Sequence, residues 1–252
     1  MSSLPRISQA TLRQPEEGAP VVPWADWYAE KWHTWRQGQH QLFVGPTQSG
    51  KTTLARQLAR LRNYVVVFGT KAYDESLDAF LEEGYRRITQ WPPRKKDLEP
   101  DDAGDVRLIL WPKIKSIPDL WEYKPVYSKC LNSIFIEGRW TLVLDEGIWL
   151  SDKGGLDLGK EISAIAYGSA SNKVSMCLLT QRPSGLPRIS WSSVTDAHIF
   201  HTGVTTDVRE LASLGTYDPA DVKRVVQRLE GRQFLDLPVR GGKEWAISEV
   251  QL

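Results

Sequence analysis

The sequence is short of several things, and each shortage closes off a class of protein. Two cysteines, Cys130 and Cys177, stand far apart in 252 residues. That excludes a disulfide scaffold and a cysteine-rich metal site, and it fits a reducing compartment. Charge of one sign is missing: 32 Lys and Arg against 31 Asp and Glu leave a net +1. The whole chain therefore carries no basic field for nucleic acid, and any such surface must be local or formed on assembly. No apolar run approaches the ~20 residues of a membrane span and no signal peptide is visible, so the chain reads as soluble and cytoplasmic. No internal repeat is evident. His198 and His201, in HIFH, lack further ligands for a metal and read as strand residues. What remains is ample for a core, with 41% hydrophobic and 25% charged residues. One large α/β domain suits that length best, with two small ones as the alternative.

Against this background one stretch stands out: GPTQSGKT, residues 45–52. It fits G-x-x-x-x-G-K-[ST], a phosphate-binding loop. Gly45 and Gly50 let the backbone curl so that successive N–H groups point at phosphates. Lys51 reaches the β- and γ-phosphates of ATP as a point charge, and the Thr52 hydroxyl ligates Mg²⁺. Pro46, Thr47, Gln48, Ser49 and Thr53 complete the expected nucleotide-binding segment. HQLFVG before it reads as a short buried strand. TLARQLARL after it reads as a helix with Leu54, Leu58 and Leu61 on one face. Phosphates would then meet a helix N-terminus.

Tryptophan is abundant, at 11 residues. Trp24, Trp27, Tyr28, Trp32 and Trp35 fall on one face of a helix upstream of the loop. We read this as a helix capping the core; the alternative is an aromatic shelf for the adenine base or a neighbouring subunit. Residues 1–23, with Pro5, Pro15, Pro20 and Pro23, read as a mobile arm. Residues 24–252 read as a single domain that closes with a strand pair within 231–252.

Downstream, apolar β-branched runs alternate with amphipathic ones. NYVVVFGT, VRLILWP, RWTLVLDEG, NKVSMCLLTQRP and DAHIFHTG read as strands. Loop and helix share GTKAYDESLDAFLEEGYRRI, and WPPRKKDLEPDDAG is a charged proline-rich loop. YSKCLNSIFIEG, LDLGKEISAIAYGSA, TTDVRELASLG and DPADVKRVVQRLE read as helices, and GRQFLDLPVRGGKEWAI as strand, turn and strand. Such alternation means a mostly parallel sheet flanked by helices, with ligand at the carboxyl ends of the strands. TLVLDE ends in two acids. Asp145 would hold Mg²⁺ through water and Glu146 would orient the attacking water; the alternative is an acidic strand end that caps the next loop.

The strand after that ends in LLTQRPSGLPR, residues 178–188. Gln181 at its tip is placed to touch the γ-phosphate or the water, with Arg182 and Arg188 nearby. Here the chain resembles the FtsK–HerA superfamily of ring-forming DNA motors, which carry T-Q-R-P at this strand end. HIFHTGVTTDVRELASLG resembles that family's next strand and its T-D-x-x-R-like segment. Lys71 in FGTKAYD resembles the lysine of its D-P-K turn, without the aspartate and proline. The resemblance runs motif by motif over roughly residues 40–240.

It implies a RecA-like (ASCE) P-loop NTPase core assembled as a homo-hexamer, with ATP between subunits. A neighbour's arginine would complete each site: Arg209 by position, with Arg182 and Arg188 as rivals. It also implies double-stranded DNA in the pore, held through its phosphates. SDKGG (151–155), with Lys153 on flexible glycines, and WPPRKKD are the pore candidates, the latter equally a solvated loop, and Lys71 is a further candidate DNA contact. The sequence reads as a motor core without a membrane anchor, an N-terminal barrel or an evident C-terminal winged helix. The chain therefore looks most like the viral genome-packaging ATPases, with capsid or portal-vertex proteins as partners, in host cytoplasm or virion. A plasmid-mobilisation or repair motor, a nucleotide-gated virion or assembly scaffold, and a small-molecule kinase are the other readings.

Overall fold

In the computed structural model, residues 19–215, 217–239 and 244–251 are described. The helices are α1 (Trp24–Thr34), α2 (Lys51–Ala59), α3 (Glu75–Glu82), α4 (Asp119–Glu122), α5 (Lys124–Glu137), α6 (Gly147–Ser151), α7 (Gly159–Asn172), α8 (Arg188–Ser192), α9 (Thr205–Ala212) and α10 (Pro219–Arg228). The strands are β1 (Gln41–Val44), β2 (Tyr64–Phe68), β3 (Arg86–Ile88), β4 (Val106–Leu110), β5 (Thr141–Leu144), β6 (Ser175–Thr180), β7 (Asp196–Phe200), β8 (Gln233–Pro238) and β9 (Ala246–Glu249).

Among the described residues these strands form one sheet in the order β3-β4-β2-β5-β6-β1-β7-β8-β9. Every pairing from β3 to β7 is parallel; β8 runs antiparallel to both β7 and β9. Parallel strands covered on both faces need apolar residues at every position, and β1 shows it. Leu42 and Val44 join the core under α5, α7, α9 and α10, while Phe43 joins the one under α1, α2 and α3. The fold is the expected one, a mostly parallel α/β sheet flanked by helices on a P-loop, RecA-like plan.

The tryptophan-rich helix caps the core. Trp27 and Trp35 are buried and only Trp32 stands out, 63% exposed. Below Trp27, Lys31 is buried 3.2 Å from Asp196 and 2.8 Å from Asp236. Trp27 Nε1 donates to Asp236 (2.8 Å) and the Gln41 amide donates to Asp196 (2.8 Å). His198 Nε2 and Gln41 Oε1 are 2.8 Å apart, so His198 is the buried strand residue expected of it. This network ties α1 to β1, β7 and β8.

Three local expectations fail. The sequence pattern places YRRI at the end of a helix. Gly84, at φ +87°, ends α3 instead, and Arg86–Ile88 pairs with β4 as a short edge strand. Residues 19–23 of the expected mobile arm are ordered. Val21 bridges Ile247, the Val22 N–H donates to the Ile247 carbonyl (2.8 Å), and the Ile247 N–H donates to the Pro20 carbonyl (2.8 Å). The free edge of β9 offers unpaired backbone groups, and a Val-Val pair is suited to take them. Residues 1–18 lie outside the described residues, as do 240–243 within the expected strand pair, of which β8 and β9 form. Finally, SDKGG is not an open glycine tether. Its Gly155 is buried, and the backbone is fastened by bonds from Leu156 N–H to the Trp149 carbonyl (2.8 Å) and from Asp157 N–H to the Asp152 carbonyl (2.9 Å).

Candidate nucleotide site

The chemistry-bearing residues gather at the carboxyl ends of β1, β5 and β6. The loop from β1 to α2 can close only because its glycines lack side chains. A Cβ on Gly45 would lie 2.7 Å from the Phe200 Cβ and 2.9 Å from Ser49 Oγ. Gly50 sits at φ +104°, a left-handed conformation costly to other residues, and starts α2. No side chain caps the first N–H groups of α2, and Ser49 Oγ is buried without a hydrogen-bond partner. A helix end with free donors and an orphan hydroxyl is a cradle for an anion.

Lys51 donates to the Gly45 (2.8 Å) and Pro46 (2.6 Å) carbonyls of its own loop. Burial pulls its pKa below the ordinary lysine value, with Asp145 and Glu146 opposing. The Thr52 hydroxyl donates to Asp145 Oδ2 at 3.3 Å, so the two expected Mg²⁺ ligands from α2 and β5 are already adjacent. Burial pushes the Asp145 carboxyl up; Lys71 opposes this and Glu146 adds to it. Among the described residues no cluster of three or more metal-type side chains occurs. A hydroxyl and one carboxylate are instead a donor set that fits Mg²⁺, which takes few protein oxygens beside substrate phosphates.

Glu146 adopts φ +55°, an uncommon conformation for a non-glycine residue. Its N–H donates to Asp145 Oδ1 (2.9 Å). Its carboxylate lies 3.1 Å from the Lys71 ammonium, which is 3.6 Å from Asp74. Burial alone would lower the Lys71 pKa, but Glu146, Asp145 and Asp74 carry it upward. The Lys71 backbone is held by the Trp111 indole, which donates to its carbonyl (2.7 Å).

Above the loop is a cleft of about 580 Å³, within the range of small-molecule sites. Thr47, Gln48, Gly50, Lys51, Thr52 and Thr53 line its floor, and Asp145, Glu146, Lys71 and Gln181 line one side. Gln181 follows Thr180, whose hydroxyl accepts the Arg182 N–H (3.1 Å) and donates to the Arg182 carbonyl (2.8 Å), a local turn that fixes the strand tip. Arg182, Arg188 and Arg209 do not line this cleft and are exposed. Ser184 donates to Asp207 (3.1 Å), which ties the segment between Arg182 and Arg188 to the helix bearing Arg209. Lys153 is exposed beyond the site. The WPPRKKD lysines are exposed beside edge strand β3, where Arg94 pairs with Asp97 (2.9 Å). Two contributors went unread in the sequence. Arg232 lines the cleft beside the P-loop, and no motif marks it. An apolar hollow of about 610 Å³ shares Lys71 and Glu146 with the cleft and is walled by Ile114, Ile117, Leu120 and Trp149.

No family model and no curated protein matches the sequence. Solved structures do. The genome packaging NTPase B204 from Sulfolobus turreted icosahedral virus 2, in complex with AMPPCP, superposes with a TM-score of 0.56 at 14% identity, covering 86% of this chain and 100% of that one. B204 from Sulfolobus Turreted Icosahedral Virus, described as its DNA-packaging ATPase, gives a TM-score of 0.57 at 16% identity over 86% and 100%. The cytoplasmic domain of the Type VII secretion ATPase EccC from Thermomonospora curvata gives 0.54 at 16% identity, over 85% of this chain but 25% of that one. At such identities the likeness is one of fold. The chain has the P-loop ATPase fold, and its structural neighbours include a viral genome-packaging NTPase, the kind of protein its motifs resemble.

Proposed function

We propose that this chain is an ATP-driven double-stranded DNA translocase that works as a ring to package a viral genome. The observation that carries the reading is the convergence of the P-loop, Asp145, Glu146 and Gln181 in one cleft. Lys51 and the α2 N-terminus hold the phosphates of ATP. Thr52 and Asp145 would hold Mg²⁺, which when bound would neutralise charge on the phosphate oxygens. Glu146 orients and polarises the attacking water, and Gln181 senses the γ-phosphate at the strand tip. The exposed Arg182, Arg188 and Arg209 are available to a neighbouring subunit's site.

DNA contact is proposed through the exposed Lys153. The neighbouring loop adds exposed Lys113 and Lys115, and Trp121 Nε1 of α4, just after that loop, donates to the Gly154 carbonyl (3.4 Å). Capsid or portal-vertex proteins are the expected partners. ATP hydrolysis by the purified chain, with and without long double-stranded DNA and beside Glu146→Gln, tests the reading. DNA-stimulated turnover lost in the variant is expected, by roughly 10²–10⁴-fold if Glu146 is the general base. Tight ATP binding with no hydrolysis under any DNA condition would favour a nucleotide-gated scaffold.

A further inference from the structure

The cleft has a second wall, opposite the hydrolytic residues. Phe234 of β8 stands across from Phe200 of β7. Arg232, in the turn that leads into β8, lines the cleft beside the P-loop. Its stem reaches the P-loop: a Cβ on Gly50 would lie 3.3 Å from the Phe200 ring and 3.9 Å from Arg232 Cγ. Its backbone is fastened by a bond from the Val250 N–H to the Arg232 carbonyl (3.2 Å), and the turn before it by one from the Gln233 N–H to the Glu230 carbonyl (2.9 Å).

The guanidinium is not fastened in the same way. Nη1 is buried and has no hydrogen-bond partner among the described residues. A buried, charged donor without an acceptor is costly to fold. Guanidinium is also the side-chain group best shaped to grip phosphate oxygens. Arg232 presents one beside the glycine that starts α2.

We propose that Arg232 binds the nucleotide within its own subunit, through the α- and β-phosphates, and so holds ADP and ATP alike. This rests on the nucleotide-binding reading of the cleft. The choice of phosphates follows from strand order. Asp145, Glu146 and Gln181 end β5 and β6 on one side of β1, where the γ-phosphate must lie for hydrolysis. Arg232 enters from the turn before β8, on the other side of β1. This separates its role from that of the exposed Arg182, Arg188 and Arg209, none of which lines the cleft.

The test is calorimetric titration of the full chain with MgADP and with MgAMPPCP, for the wild type, Arg232→Met and Arg232→Lys. Methionine keeps the stem that packs on Gly50 and removes the charge; lysine keeps the charge and loses the fork. Arg232→Met should weaken both nucleotides by about 10-fold or more with their ratio unchanged, as expected for loss of a charge-assisted bond. Arg232→Lys should fall between. In the absence of nucleotide, Arg232→Met should melt no lower than wild type, because the side chain's cost in the apo fold has been removed. Unchanged affinity for both nucleotides in Arg232→Met overturns the proposal, and so does loss of MgAMPPCP binding alone. A wild-type chain that binds neither nucleotide overturns the ATPase reading as well, which the wild-type titration shows by itself.

Discussion

Replacing Lys31 with methionine should destabilise the fold strongly. Lys31 is 1% exposed and sits between two carboxylates, at 3.2 Å from Asp196 and 2.8 Å from Asp236. Methionine fits the volume but leaves both carboxylates buried without their cation. Removing one partner of a buried pair costs about 3–5 kcal/mol, most of it the penalty on the charge left behind. For a chain of this size that is a fall of roughly 6–20 °C in Tm.

The pH dependence gives a second handle. Burial alone would raise the Asp236 pKa, but Lys31 and then His198 hold it well below the carboxylate range. A depressed carboxyl contributes stability above its unfolded pKa of about 4, which is lost as pH falls below that. Lys31 is desolvated, yet Asp236 and Asp196 raise its pKa. Its contribution is complete below its unfolded pKa of about 10.4 and is lost as pH rises beyond it. Wild type should therefore hold a plateau between roughly pH 5 and 10. In Lys31→Met the stranded acids bind protons on folding, so its deficit should shrink toward pH 4. Urea denaturation followed by tryptophan fluorescence at pH 4.5, 7 and 9 measures this. A deficit below about 1 kcal/mol at pH 7, or one that grows on acidification, would refute the account of Lys31 as the counter-ion that holds α1 to the sheet.

Two further predictions concern the cleft. Gly45→Ala puts a methyl group 2.7 Å from the Phe200 Cβ, a contact that no side-chain rotation relieves. The loop must shift, so nucleotide affinity should fall at least 10-fold while the fold loses about 1–3 kcal/mol; calorimetry showing wild-type affinity would contradict the cradle geometry. Gln181→Ala should lower turnover with little change in ATP affinity, because Gln181 is exposed at a strand tip and no part of the loop rests on its side chain; steady-state kinetics showing a pure KM effect would sink its assignment to the γ-phosphate.

How much of this could be read from sequence depended on whether the chemistry is local. GPTQSGKT and TLVLDE were readable because each motif carries its whole geometry in a short run. The apolar strands before Gly45 and Asp145 likewise announced a parallel sheet. The Lys71–Glu146 pair joins residues 75 apart, and Arg232 reaches the P-loop only through the order of strands β1, β7 and β8. No spacing encodes either. β3 was missed because three residues with two arginines carry no apolar alternation. SDKGG departs from its expectation for another reason. Glycine serves both flexible chain and close approach, and sequence does not say which. A Cβ on Gly155 would lie 2.0 Å from the Trp149 carbonyl oxygen, so here the glycine permits contact.

The Lys71–Glu146 pair carries the last consequence. One ammonium cannot grip DNA phosphate and neutralise Glu146 at the same time. In this structure it lies 3.1 Å from the carboxylate that is proposed to polarise water, and an acid so paired is a weaker hydrogen-bond acceptor toward that water. The pair is half-exposed, so it is worth about 0.3–1 kcal/mol and no more. Lys71→Met should accordingly raise hydrolysis without DNA by about 2–5-fold, and reduce the factor by which DNA stimulates it. If Lys71 instead serves mainly as a DNA contact, the same variant would leave DNA-free turnover unchanged and weaken DNA binding, with a shallower salt dependence. Measuring DNA-free turnover and the salt slope of DNA binding on one preparation separates the two. Unchanged DNA-free turnover would remove Lys71 from the hydrolytic machinery.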